Sequence, residues 1–389
     1  MQRGLYRKYI FIFIVALLFL YSCNKNNSSD AFYYPADFEQ SASTCFIWTT
    51  DFYEIVPQIA GIISQKDRIT LYLDEKEDMD VVNQVLEKHN INFNNISFVK
   101  LRDVPRNAWL RDFGPVYLNN NMGRKQVVDF QYFGKSLSFN EQIAALKQLP
   151  FNRSLINSSG GAREVNGKGM MILCEAHELS VNKGLTLKEI EKAYKEALGM
   201  KKVIWLKEGI PQDDSELNGP LSGQIYPNGV HGHVDEFCRF VDESTVLISS
   251  VTEDEAGKHP ILAEAKRRLD ENFEILKNST DQDGNKLNVV KVPFAPLLVF
   301  ERSEVEGSKY LTLVTSYMNF IVTNSMVIMP SYVESAKDFN RTLIHSNEDE
   351  AEDILKTAFP DREIIKVPAE DLNRFSGGFH CISLNEPFL

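Results

Sequence analysis

The arrangement that most constrains this chain is a recurring unit: an amphipathic helical stretch, a short β-branched run, then a loop carrying Gly or Pro. Met79–His89 leads to Ile96–Leu101, Asn140–Gln148 to Arg153–Asn157, Leu187–Leu198 to Lys202–Leu206, Ile261–Leu276 to Asn288–Val292, and Asp349–Ala358 to Glu363–Val367. A further pair, Tyr53–Ser64 and Arg68–Leu73, precedes them. The third unit is the best marked: Thr186 and Glu189 make a capping box, and Gly199 suits the position just past a helix end. Other strand-like runs lie at Gln126–Tyr132, Gly169–Leu173, Thr245–Ser250, Tyr310–Thr315 and Asn319–Met329. Strands alternating with helices indicate an α/β fold. A doubly wound parallel sheet is its default form. Five similar units also allow a closed, radial arrangement in which equivalent loops converge on one axis.

The residues suited to chemistry fall at the same point of each unit. In chain order they are Trp109-Leu-Arg-Asp112-Phe-Gly-Pro115, Ser159-Gly-Gly-Ala-Arg163, His231-Gly-His233-Val-Asp235, Ser316-Tyr-Met-Asn319 and Gly377-Gly378-Phe-His380-Cys381. The paired glycines before His380 permit close backbone approach. Cys381 is a candidate nucleophile if it sits in a polarised pocket; otherwise it is a buried structural thiol. His233 and Asp235 stand two apart in a segment that reads as a strand, so both would project from one face. A metal site on that pair lacks a third ligand at metal-binding spacing. Asp112 alone would pass as a turn acid paired with Arg111. As a set, two carboxylates match a planar guanidinium through paired N–H···O bonds, His233 can move protons, and a Cys381 thiolate can reach the guanidinium carbon.

A formal net charge of −12 argues against nucleic acid as a partner and permits a cationic substrate. Arg3, Arg7 and Lys8 followed by apolar Tyr9–Tyr21 read as an export signal. Leu20-Tyr21-Ser22-Cys23 resembles the lipobox of bacterial lipoproteins. That likeness implies a signal peptide over 1–22, lipidation at Cys23, a tether over 23–33, a catalytic domain over 34–389 and a lipid-anchored place in the bacterial cell envelope, at the periplasm or outer membrane. Soluble secretion and an N-terminal membrane anchor are the alternatives. Cys45, Cys174, Cys238 and Cys381 show no metal-ligand spacing.

The motifs Trp109–Pro115, Gly160–Gly169, Lys202–Leu206, His233–Val241, Ser316–Phe320 and Gly377–Ser383 carry a resemblance to the agmatine deiminase and Porphyromonas-type peptidylarginine deiminase family, within the guanidino-group-modifying superfamily. It runs from about Tyr34 to Pro387. It implies a propeller of five ββαβ units around a pseudo-fivefold axis, with the site on that axis. It also implies a mechanism: Cys381 attacks the guanidinium carbon, Asp112 and Asp235 hold the guanidinium, and His233 protonates departing ammonia. His233 then activates the water that releases the ureido product. Trp109, Gly161, Arg163 and Gly378 join Asp112 and Asp235 as substrate-binding positions, and no metal or organic cofactor is implied. Two positions depart from the agmatine branch: Ser159 replaces a Glu, and Gly378 replaces an Asn. The peptidylarginine branch uses an Asn from a later unit, for which Asn319 is the candidate partner of His233. Ser159, Arg163 and the export signal favour arginine-containing peptide or protein over agmatine; the membrane would be met only through the N-terminal lipid. The competing class is a non-catalytic lipoprotein that binds cationic peptides.

Overall fold

The computed structural model describes residues 31–49, 54–135, 137–302, 309–334 and 341–388. The export signal, Cys23 and Tyr53 lie outside them. Among the described residues the strands form six small separate sheets in place of one doubly wound sheet. Five of the six share a pattern: a strand, an antiparallel neighbour, a helical crossover, and a third strand parallel to the second. The second sheet runs Val116–Asn120, Lys125–Gln131, Phe151–Asn157, and the third runs Glu164–Val165, Met170–Cys174, Lys202–Leu206. The fourth runs Cys238–Phe240, Thr245–Ser250, Asn288–Pro293, and the fifth runs Ile321–Val322, Met326–Ser331, Glu363–Pro368. In the first sheet the opening strand comes from the other end of the chain: Leu384–Pro387 pairs antiparallel with Ser41–Ile47, which runs parallel to Ile69–Asp74. The Ile55–Ile63 crossover and Ile69–Asp74 thus occupy the repeat's regular place. Met79–Lys88 and Ile96–Leu101, expected as the first unit, are the addition, a fourth strand on that sheet. The sixth sheet pairs Ile225–Tyr226 with Lys309–Thr312 and Val299–Arg302.

Local chemistry accounts for the elements. Leu187–Leu198 starts at the Thr186–Glu189 capping box and ends where Gly199 takes φ 69°, a conformation costly for a residue with Cβ. Pro260 opens the helix Pro260–Lys277 one residue earlier than its apolar period suggests, because a prolyl nitrogen loses nothing in the first turn. The run Asn319–Met329 is broken into Ile321–Val322 and Met326–Ser331 by a turn in which Met326 N–H bonds Thr323 Oγ1.

Strand alternation sets the packing, since successive side chains face opposite ways. On Met170–Cys174, Met171 and Leu173 pack with Val116, Leu118 and Val128 of the second sheet. Met170 and Ile172 pack with Phe240, Val246 and Ile248 of the fourth. Cys45, Ile47 and Tyr72 of the first sheet pack with Tyr117 and Val127 of the second. Leu247 and Val292 of the fourth sheet share a core with Ile321, Met326 and Ile328 of the fifth and with Phe46 and Leu71 of the first. Among the described residues, no helix is long and apolar enough to cross a membrane.

Candidate active site

Five segments meet at one place, each just ahead of the opening strand of its sheet. They are the helical turn Leu110–Phe113, the turn Gly160–Ala162, the turn Val234–Glu236 with His233 before it, the loop 316–319, and the turn around His380 and Cys381. Their backbones are stitched together: Arg111 N donates to Cys381 O at 3.0 Å, and His380 N to Asn319 O at 3.2 Å. Gly161 N donates to Asp112 Oδ1 at 3.2 Å. A Cβ on Gly161 would lie 2.7 Å from Asp235 Oδ2 and 2.9 Å from His233 Nδ1, so both groups point at that bare Cα.

Cys381 is 3% exposed. Its sulfur lies 3.9 Å from Asp235 Oδ2 and 3.7 Å from Glu236 Oε1. Asn319 Nδ2 donates to it at 3.4 Å and Gly378 N at 3.5 Å. Gly378 has no room for a side chain, because Asn319 Oδ1 would stand 2.4 Å from its Cβ. The Trp109 ring packs against Gly377, 2.6 Å from where a Cβ would be. On one flank a chain of charges runs away from the sulfur. Asp235 Oδ2 meets His380 Nδ1 at 2.7 Å, and His380 Nε2 meets Asp37 Oδ2 at 2.5 Å. Asp37 accepts from Arg111 and Arg239, each at 3.1 Å. Arg239, wholly buried, also lies 3.1 Å from Glu164 and donates to the Met318 and Phe320 carbonyls. On the other flank His233 Nδ1 stands 3.7 Å from Asp112 Oδ1, and the His233 ring meets the His177 ring edge-on at 4.9 Å. His233 Nδ1, Asp235 Oδ1, Glu236 Oε2 and His177 Nε2 are buried without a hydrogen-bond partner.

Burial governs the charges here. It raises the carboxyls of Asp235, helped by Asp112, and of Glu236, helped by Asp235, well above the ordinary range. Asp112 is pushed up to about 6 by burial, against Gly161 N–H and Arg111. Burial, then His231 and Arg163, hold His233 down to about 3. Burial, then Asp235, Glu236 and Asp112, raise the Cys381 thiol well above its usual range. Burial thus favours the neutral forms of Asp235, Glu236 and the Cys381 thiol. A cation placed among these groups would favour their ionised forms, thiolate included.

The structure unites Cys381, His233, Asp112, Asp235 and Asn319, and corrects three expectations. His233 and Asp235 do not sit on a strand; His233 precedes a helical turn that contains Asp235, and pairing begins only at Cys238. Asn319 does not support His233, because its amide is spent on Glu236 Oε1 at 2.8 Å and on the sulfur. Arg163 is neither on the surface nor facing an open pocket. It is 5% exposed, bonded through Nη1 to Ser158 Oγ and stacked over Phe130 at 4.8 Å. Sequence reasoning missed Glu236, because strand alternation would turn it away from Asp235, whereas a helical turn lets both reach the sulfur. Asp37 and Arg239 carry no local signal; their roles arise from pairing across the fold.

A cavity of 920 Å³ adjoins the site, lined in part by Tyr132, Ser159, His231, Asp214 and Glu208. Phe133, 75% exposed, and Leu217, 94% exposed, stand on its border.

Residues 33–387 match the family described as Porphyromonas-type peptidyl-arginine deiminase. The agmatine deiminase of Pseudomonas aeruginosa is 28% identical over 306 residues, covering 72% of this chain and 74% of that protein. The solved agmatine deiminase of Enterococcus faecalis superposes with a TM-score of 0.73 at 22% identity, covering 93% of this chain and 97% of that one. A C. jejuni agmatine deiminase with substrate bound gives 0.67 at 22% identity, covering 92% and 96%. Because the family match spans residues 33–387, nearly the whole described chain, the chain belongs to the Porphyromonas-type peptidyl-arginine deiminase family and is a deiminase acting on guanidino groups.

Proposed function

We propose that the chain hydrolyses the guanidinium of agmatine to a ureido group and ammonia, through a covalent intermediate on Cys381. The observation that carries this reading is the set of buried, unpartnered atoms around the Cys381 sulfur, the carboxyl oxygens Asp235 Oδ1 and Glu236 Oε2 and the ring nitrogen His233 Nδ1. Buried acceptors without donors are costly, and guanidinium N–H groups are the donors that match them. The Cys381 thiol loses its proton and its sulfur bonds to the guanidinium carbon. The proton, carried by His233, leaves with ammonia, and a thiouronium remains on the sulfur. Water activated by His233 then attacks the same carbon and the C–S bond breaks; one water proton restores the Cys381 thiol, the other leaves through His233 to ammonia or solvent, and the ureido product departs. Asp112, Asp235 and Glu236 hold the cation and the charge that develops on it. Asn319 and the Gly378 N–H steady the sulfur.

Agmatine is favoured because curated relatives bear that name and because Arg163, buried against Ser158 and Phe130, is not free to meet a substrate carboxylate or peptide carbonyl. Peptide-bound arginine is the second reading. The export signal, the 920 Å³ cavity and the exposed Phe133 and Leu217 on its border support it. Ammonia release from agmatine, benzoyl-arginine amide and a C-terminal-arginine peptide, assayed side by side, separates the two. Agmatine should lead by tenfold or more in kcat/KM, about 1.4 kcal/mol of discrimination. A tenfold lead for the peptide would reverse the assignment.

The cyclic succession of shared cores, first sheet to second, third, fourth, fifth and back to the first, supports a five-bladed propeller with the site on its axis. Lipidation at Cys23 and a place in the cell envelope rest on the N-terminal sequence; Cys23→Ser should block lipid attachment, and a mature N-terminus mapped far from Cys23 would exclude it.

A further inference from the structure

The flank between Asp235 and Asp37 carries more order than holding a substrate needs. A neutral imidazole has one N–H and one lone pair. His380 nevertheless presents both nitrogens to carboxylate oxygens, at 2.7 Å to Asp235 and 2.5 Å to Asp37. One proton must therefore lie between Asp235 and His380 in addition to the one facing Asp37. Either Asp235 is a carboxylic acid donating to a neutral ring, or the ring is an imidazolium between two carboxylates. We infer that His380 is a positioning residue that stores this proton: it takes it from Asp235 when a guanidinium enters, leaving Asp235 ionised against the substrate, and returns it when the product leaves.

The step is balanced. The Asp235 O–H bond breaks, the His380 Nδ1–H bond forms, and no proton crosses to solvent. The surroundings set the direction in each state. Without substrate, burial, then Asp112 and Asp213, favour the neutral Asp235 carboxyl against Arg239 and Arg111, which keeps the proton on Asp235 in this scheme. Burial, then Arg111 and Arg239, disfavour charge on His380. A guanidinium among the carboxylates reverses the balance at Asp235. Asp37 is fitted to hold the imidazolium that results. Against its burial, Arg111, His380 and Arg239 keep its carboxyl well below the usual range, so it remains an anion throughout. The sequence places Asp37 more than three hundred residues from His380, yet the opening strand Leu384–Pro387 beside Ser41–Ile47 brings the two segments together.

This inference rests on the guanidino-deiminase reading of the same site. The direct test is ¹⁵N imidazole NMR of the full chain as the Cys381→Ala variant, free and saturated with agmatine or benzoyl-arginine amide. The chain has 7 histidines, and the His380→Gln spectrum identifies the one in question. His380 should be neutral and protonated at Nε2 when free, and protonated at both nitrogens when either compound is bound. Binding with unchanged His380 nitrogens, or a ring already doubly protonated when free, overturns the inference alone. Failure of both compounds to bind overturns the functional reading and this inference with it. Asp37→Asn supplies an independent check should His380→Gln not fold. Without the Asp37 anion the proton must go to solvent, so the acid limb of kcat/KM should move up by about one pH unit or more. A loss equal at every pH would assign Asp37 a merely structural part and contradict the proton-storing role.

Discussion

The two flanks of Cys381 are built on opposite plans. On the Asp235 side, His380, Asp37, Arg111, Arg239 and Glu164 form a run of contacts of 2.5 to 3.1 Å. On the His233 side, Nδ1 has no hydrogen-bond partner, Asp112 stands 3.7 Å off, and the neighbour is the flat ring of His177. The first flank fixes a carboxylate in place; the second leaves an imidazole nitrogen unpartnered, as the proton-carrying role proposed for His233 requires. A buried charge network is costly to break because its survivors stay buried and unpaired. A catalytic base must keep a nitrogen available. The difference separates a carboxylate held fast by buried charges from an imidazole left without a hydrogen-bond partner.

Substitutions on the two sides should part accordingly. The largest effect on activity is expected from Cys381→Ser, which should abolish turnover and leave the circular dichroism spectrum unchanged. His233→Gln, on the loose flank, should lower kcat by about 10²–10⁴ and leave the unfolding midpoint nearly where it was. Arg239→Met, on the wired flank, takes an ion-pair partner from both Asp37 and Glu164, so urea unfolding should report a loss of roughly 3–5 kcal/mol. A His233 variant that unfolds as readily as the Arg239 variant would erase the distinction.

A milder test uses pH. Glu178 is buried beside Tyr194 and Asn182, and burial pushes its carboxyl up to about 8. The folded state holds this proton when the unfolded chain, near 4.5, has lost it, so its contribution to stability declines as pH rises from about 4.5 through 8. Glu178→Gln removes the titration; its stability should fall less over that window than the wild type's, by up to a few kcal/mol at the upper end. Parallel pH–stability curves for the two proteins would refute it. The smallest effects on activity belong to Cys45→Ser, Cys174→Ser and Cys238→Ser. All three thiols are buried and unpaired in disulfides, so these should cost stability on the order of 1–3 kcal/mol with kcat retained.

The helices and their following strands were legible because amphipathic period and capping are local properties. Leu187–Leu198 and Lys202–Leu206 stand where the sequence places them. The pair formed by Ile55–Ile63 and Ile69–Asp74 looked supernumerary, because the strand completing its sheet, Leu384–Pro387, lies at the far end of the chain. Cys381, His233, Asp112 and Asp235 were found through their residue types. Arg163 was misplaced because a cation on a site loop reads as facing substrate, and nothing local announces the Phe130 ring and Ser158 hydroxyl that bury it. Asp37 and Glu236 were missed for a related reason: one is joined to the site only by long-range pairing, and the other is turned inward by a helical turn that the sequence reads as strand.

The central claim is that Cys381 becomes covalently bonded to the guanidinium carbon while the acids around it hold the cation. Acid quench of the enzyme during turnover of agmatine or benzoyl-arginine amide, followed by peptide mass spectrometry, observes that bond directly. The account predicts a thiouronium adduct on the peptide bearing Cys381, formed and lost at rates compatible with turnover and absent from Cys381→Ser. Turnover with Cys381 unmodified at every quench time, or an adduct on another side chain, would contradict it.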